Sequence, residues 1–180
     1  MTANITSTSK FLSLVLRHQP DLLGLTLQHN GWVSVEQLIE AAAKNGRNLS
    51  RALINEVVNT SDKNRFSLSE DGQLIRANQG HSTSVALEFE QVTPPDFLFH
   101  GTAQKSITVI QKDGLQKMRR HHVHLSADQE TAHKVGKRHG RPVVITVNAG
   151  AMARDGFAFF LSTNGVWLTE NVPPRYLTIP

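Results

Sequence analysis

Residues 93–102, TPPDFLFHGT, divide the chain. Thr93-Pro94-Pro95 follows the acidic patch Glu88–Glu90 and reads as a linker. Phe97–Phe99 then reads as a strand that ends at His100-Gly101-Thr102. The patterning changes across this point, so two lobes are expected, 1–92 and 93–180, in an α+β protein.

Upstream, Thr8 and Ser9 precede Phe11, Leu12, Leu14, Val15 and Leu16, which predicts a capped helix ending near Pro20. Gly31-Trp32-Val33 predicts a short strand. Ser34 with Gln37 forms a capping box, and Val35, Leu38, Ile39 and Ala42 follow at helical spacing until Gly46. Ser50 predicts the cap of a third helix with a stripe of Leu53, Ile54, Val57 and Val58. Phe66 and Leu68, Asp71-Gly72, then Leu74 and Ile75 predict a β-hairpin. Three short helices before a hairpin is the pattern of a winged-helix module, a unit that can bind nucleic acid or simply pack.

Downstream, Lys105–Lys112 predicts a short helix stopped by Gly114, and His122–Leu125 a strand. Ser126 with Gln129 is expected to cap a helix running to about Arg138. The β-branched run Pro142–Val147 predicts a buried strand. Phe157–Leu161 and Val166–Thr169 flank Asn164-Gly165, a hairpin turn signal, and Tyr176–Ile179 is expected to close a sheet. This lobe is thus expected to be mainly β.

The chain has 180 residues and a mass of 19.9 kDa, with 19 basic and 15 acidic residues. Residues 1–90 carry eight basic and nine acidic groups, whereas residues 91–180 carry eleven and six, a net of +5. The second half therefore favours an anionic partner. The absence of cysteine excludes disulfides, thiolate metal sites and thiol nucleophiles. No apolar run approaches the ~20 residues that span a bilayer, and MTANITSTSK lacks the apolar core of a signal peptide. A cytoplasmic protein without membrane association is expected.

Neither a Walker loop nor G-x-G-x-x-G is present, which removes support for P-loop and Rossmann nucleotide binding. Arginine and histidine are the conspicuous residues: Arg17-His18, Arg76 in RANQGHS, His100 in HGT, and the stretch Arg119–Arg141 with six basic residues and five histidines. Taken singly, these have bland readings. Arg17-His18 at a helix C-terminus complements the macrodipole, and Arg119-Arg120-His121-His122 reads as a solvated loop. His122 and His124 share a strand face but have no carboxylate or cysteine at ligand spacing, so no metal is expected. GHSTS departs from the nucleophile elbow because Ser84 replaces its last glycine. Jointly, arginines from separate segments, with His and Ser beside them, suit bidentate capture of phosphate. A phosphate is itself an anionic nucleophile, so a reaction in which it attacks needs charge neutralisation and alignment more than a carboxylate base.

Seven strings occur in order: SKFLSLVLRHQP (9–20), GWVSVEQLI (31–39), IRANQGHS (75–82), FLFHGT (97–102), HVHLSAD (122–128), VGKRHGRPVV (135–144) and NGVWLTENVPP (164–174). Together they resemble the RNA 2′-phosphotransferases of the Tpt1/KptA family. The resemblance implies a winged-helix lobe joined to a lobe like NAD-dependent ADP-ribosyltransferases, with NAD as co-substrate and no metal. It implies two steps. An internal RNA 2′-phosphate displaces nicotinamide from NAD, giving 2′-phospho-ADP-ribosylated RNA. The adjacent ribose hydroxyl then attacks the phosphate, releasing 2′-OH RNA and ADP-ribose 1″,2″-cyclic phosphate.

The family's catalytic tetrad maps by resemblance onto Arg17, His18, Arg76 and Arg138, with Arg141 an alternative for the last. His100, Gly101 and Thr102 match the position that holds NAD, and His81, Ser82, His124 and Ser126 are expected to line the same cleft. The implied partner is RNA with an internal 2′-phosphate, tRNA-like and bound through a short footprint, and the protein is expected to be a monomer. Two other readings stand beside this one. The first is an ADP-ribosyltransferase that caps terminal RNA or DNA phosphates. The second is a winged-helix regulator that senses a nucleotide, although its recognition helix would offer only Arg51 and also carry Glu56.

Overall fold

The computed structural model describes residues 2–61, 64–83 and 89–180; Ser84 of GHSTS and Glu88 of the acidic patch lie outside them. The fold is α+β, and the chain divides into two compact units, Met1–Glu88 and Phe89–Pro180.

The first unit begins with helix α1 (Thr2–Arg17). It starts well before Thr8, and Thr8 is buried inside it rather than capping it. The reason is the apolar stripe, which extends back from Leu12, Val15 and Leu16 to Ile5, packed on the same core. After 3₁₀ turns at Pro20–Leu23 and His29–Gly31, strand β1 (Val33–Ser34) leads into α2 (Val35–Lys44). The Ser34 hydroxyl accepts from the Gln37 amide at 3.3 Å. The Ser50 hydroxyl likewise accepts from the Leu53 amide at 3.2 Å and starts α3 (Arg51–Asn59). Each cap satisfies an otherwise orphaned N–H.

Strands β2 (Phe66–Leu68) and β3 (Leu74–Ala77) form the hairpin, and β1 pairs with the other edge of β3. Its turn is held by Asp71, whose carboxylate accepts from the Ser69 hydroxyl at 2.6 Å and the Gln73 amide at 3.0 Å. Gly72 adopts φ +67 there, a conformation that disfavours side chains. Leu12, Leu16, Leu38, Ile54 and Ile75 are fully buried at the centre of this unit.

In the second unit, β4 (Leu98–Ala103) pairs antiparallel along its full length with β7 (Pro142–Val147), and β11 (Leu177–Thr178) covers the far edge of β7. A second sheet has the order β6 (Val123–Leu125), β9 (Trp167–Thr169), β8 (Phe159–Leu161). A third pairs β5 (Leu115–Gln116) with β10 (Asn171–Val172). Helix α4 (Ile107–Asp113) follows β4, and α5 (Gln129–Gly136) lies on β4 and β7.

Two local expectations change. Ser126 does not cap α5, because its backbone N–H and C=O are both spent on Phe99, at 2.8 and 2.9 Å. Asp128 takes the cap, its carboxylate accepting from the Thr131 amide at 2.7 Å. An unanticipated helix, α6 (Ala149–Arg154), starts at Asn148, whose side chain accepts from the Ala151 amide at 3.1 Å. No described helix is long and apolar enough to cross a membrane.

Candidate active site

In the first unit, the end of α1 gathers three of the expected site residues. The Arg17 carbonyl accepts from the Ser82 amide at 2.9 Å, and His18 Nδ1 lies 2.9 Å from the Ser82 hydroxyl. The chain after β3 thus returns to the helix terminus and hooks onto two successive residues. Arg17 Nη2 donates to the Arg65 carbonyl at 3.3 Å, and its guanidinium stands 5.8 Å from the Phe66 ring centroid. His81, beside Ser82, is fully buried.

Arg76 lies on β3 opposite Ser67, between the buried Ile75 and Ala77. Alternation turns its side chain to the opposite face from theirs. The guanidinium carbon lies over the Trp32 ring, 4.6 Å from its centroid, and Nε is buried with no hydrogen-bond partner among the described residues. Burial lowers its pKa from the ordinary value, yet an arginine keeps its charge at any physiological pH. A partly desolvated cation is a ready receptor for an anionic oxygen.

In the second unit, β4 and β6 carry the remaining residues. His100 Nδ1 donates to the His124 carbonyl at 3.1 Å. A carbonyl only accepts, so Nδ1 carries the proton and the neutral ring presents Nε2 as an acceptor. The neighbouring ring is the opposite. Arg120 Nη1 donates to His124 Nδ1 at 3.3 Å, which leaves the neutral His124 with a proton on Nε2. Adjacent strands therefore offer one acceptor and one donor. Ser126 is joined to β4 through its bridge with Phe99, and Thr102 is buried.

Gly101 is required by contact. A Cβ there would sit 1.7 Å from the backbone oxygen of Ala132 on α5. Gly136 presses on Thr102 in the same way, since a Cβ on it would stand 2.7 Å from the Thr102 oxygen. The α5 terminus is thereby anchored beside β4, and Arg138 follows in the 3₁₀ turn Lys137–His139. Arg138 and Arg141 are both exposed. His122 lies outside β6, with its ring 5.9 Å from Phe89 and 5.5 Å from Phe160. Among the described residues, no three His, Asp or Glu side chains form a metal-binding group.

Sequence reasoning missed Trp32, the backbone carbonyl of residue 65 and Arg120 as supports. The Gly31-Trp32 pair before a strand was the available signal for the first.

Desolvation pulls the His100 imidazole below its ordinary value of 6.5, reinforced by Arg120 and His139 and opposed by the His124 carbonyl. The unfolded chain therefore takes up this proton first. The neutral ring's stabilisation is full above the unfolded value and declines as pH falls below it, by at most about 1.4 kcal/mol per pH unit. His100→Asn should make the melting temperature fall less steeply on acidification than in the parent. The slope will persist in part, because desolvation also lowers the pKa of His122.

Three named bacterial proteins are similar to this chain over nearly its whole length. It is 54% identical over 178 residues to a probable RNA 2′-phosphotransferase of Flavobacterium johnsoniae, covering 98% of each chain. A probable RNA 2′-phosphotransferase of Hahella chejuensis is 54% identical over 179 residues, 99% of this chain and 96% of that one. The RNA 2′-phosphotransferase of Escherichia coli K12 is 54% identical over 174 residues, 96% of this chain and 95% of its own. The model of one family matches residues 3–171, bearing out the resemblance drawn from the seven strings. The chain belongs to the RNA 2′-phosphotransferase, Tpt1/KptA family.

Proposed function

We propose that this protein is an NAD-dependent RNA 2′-phosphotransferase. In this reading residues 1–92 form a winged-helix lobe that receives the RNA phosphate, and residues 93–180 form an ADP-ribosyltransferase-like lobe that takes NAD. The observation that carries it is the family match from residue 3 to residue 171, with relatives named RNA 2′-phosphotransferase that align over 95% or more of their length.

The residues present suit both substrates. Arg17 and Arg76 bind phosphate oxygens and neutralise charge as the RNA 2′-oxygen departs, and by the family resemblance Arg138, or Arg141 in its place, supplies the last member of the tetrad. His18, held to Ser82 at 2.9 Å, is the group to protonate that oxygen in the second step. For NAD, the acceptor on His100 and the donor on His124 fit a ribose hydroxyl or a carboxamide. The net charge of +5 in residues 91–180 suits a pyrophosphate.

NAD supplies the ribose carbon and the nicotinamide leaving group. In the first step an RNA 2′-phosphate oxygen forms the bond to that carbon as nicotinamide leaves, giving 2′-phospho-ADP-ribosylated RNA. In the second the neighbouring ribose hydroxyl attacks phosphorus and the RNA 2′-oxygen leaves with a proton. The products are 2′-OH RNA and ADP-ribose 1″,2″-cyclic phosphate. No carboxylate base is needed, in keeping with a site built from arginine and histidine.

The test incubates the protein with NAD and an RNA bearing one internal 2′-phosphate, beside an unphosphorylated control, and resolves products by mass. Loss of phosphate together with ADP-ribose cyclic phosphate is the expected result. A persistent adduct would restrict the activity to the first step. Unchanged RNA with intact NAD would refute the proposal and favour a nucleotide-sensing regulator.

A further inference from the structure

A groove of about 500 Å³ runs along α1 in the first unit. One wall is Thr6, Ser9, Lys10 and Ser13, three and four residues apart on one side of the helix, and it ends at His18. The other wall is Thr60, Ser61 and Arg65, after α3. Ile5, Leu14 and Val57 supply apolar surface.

We propose that this groove is a track for the single-stranded RNA that flanks the phosphorylated nucleotide. The proposal rests on the phosphotransferase reading and deepens it, by adding a flanking subsite that no part of that reading requires. Among the described residues the lining holds two permanent cations and five hydroxyls but no carboxylate. Neither Lys10 nor Arg65 has a carboxylate partner among those residues.

Two other arginines of the unit are occupied. Arg47 lies 4.4 Å over Phe11, and Arg51 donates to the Gly72 carbonyl at 2.7 Å and to Gln73 at 3.2 Å. Among the described residues the Arg65 side chain instead keeps only a long bond from Nη1 to the Ser61 hydroxyl, 3.3 Å. Its carbonyl accepts from Arg17 and from the Asn78 amide. The far wall is therefore fixed to the same backbone that positions Arg17.

From residue 6 to residue 18 a helix rises about 18 Å, the length of roughly five stacked nucleotides at about 3.4 Å each. The Thr60 hydroxyl donates to the Glu56 carbonyl at 2.6 Å, but Ser9, Ser13 and the two cations suit phosphates and ribose hydroxyls, and the apolar strip suits ribose or base faces. An acidic peptide would also meet the cations, but it brings no ribose or base face to the apolar strip.

The test uses the full chain and the double variant Lys10→Ala/Arg65→Gln, with thermal melting to confirm that both are folded. Fluorescence anisotropy without NAD compares a minimal 2′-phosphorylated dinucleotide with a longer single strand carrying the same phosphate centrally. The variant should bind the longer strand about tenfold more weakly, with a salt slope shallower by about one to two, and bind the dinucleotide unchanged. Equal binding of the longer strand by variant and parent would overturn the proposal, as would equal losses on both RNAs or no RNA binding by the parent. A polyglutamate peptide that binds the parent as well as RNA and is lost in the variant would reassign the groove to an acidic partner. Because binding is read without turnover, an altered salt slope in a protein that does not process RNA would refute the phosphotransferase reading alone.

Discussion

Arg76→Ala is expected to lower kcat/KM for 2′-phosphorylated RNA by about a hundred- to a thousandfold, the loss that follows removal of one positioned group stabilising developing charge. The reason is the state of the side chain. Its guanidinium lies over Trp32, 4.6 Å from the ring centroid, and its Nε is buried with no hydrogen-bond partner among the described residues. Binding a phosphate pairs a cation whose partial desolvation is already part of the fold. Arg76→Lys should recover little, since an ammonium lacks both the planar stack and the bidentate fork. Folding should change less, because the ring contact of a partly desolvated guanidinium contributes about 1–2 kcal/mol. Steady-state kinetics beside thermal melting separates the two effects. A variant with parental kcat/KM would remove Arg76 from the reaction.

Gly101→Ala is expected to be the most damaging single methyl in the second unit. The added carbon would lie 1.7 Å from the Ala132 oxygen and 2.9 Å from the Gly136 nitrogen, both backbone atoms of α5. Neither can swing aside as a side-chain tip would, so α5 must lift off β4. Overpacking costs about 1–3 kcal/mol where a core can adjust and more where it cannot. A loss of about 3 kcal/mol corresponds to roughly 12 °C or more in the melting of a unit this size. Gly72→Ala provides the contrast. No atom lies within 4 Å of the place its Cβ would take, and only the left-handed backbone is penalised, by about 1–2 kcal/mol. If calorimetry gave Gly101→Ala the milder loss, the close packing of α5 on β4 would be wrong.

Local rules carried much of the fold. Helices α2 and α3 were legible because a serine cap and an apolar stripe fall within one short window, and both hairpins because Asp71-Gly72 and Asn164-Gly165 are turn formers. The failures were also local. Thr8 resembles a cap, but the stripe from Ile5 onward buries it. Ser126 resembles one too, until Phe99 takes both its backbone groups. Helix α6 was invisible because six residues rich in alanine and glycine show no amphipathic period.

The sequence by itself determined membership of the family, through seven strings in order, and with it the list of candidate arginines and histidines. It also determined charge, since the excess of cations in the second half is a property of composition. Tertiary structure alone decided how those side chains are held. His18 meets Ser82 across 64 positions and His100 meets the His124 carbonyl across 24. Trp32 lies under Arg76, and the two histidine rings carry opposite tautomers. Such properties arise from contacts between segments whose separation in sequence no periodic pattern records, so only the folded chain could assign them.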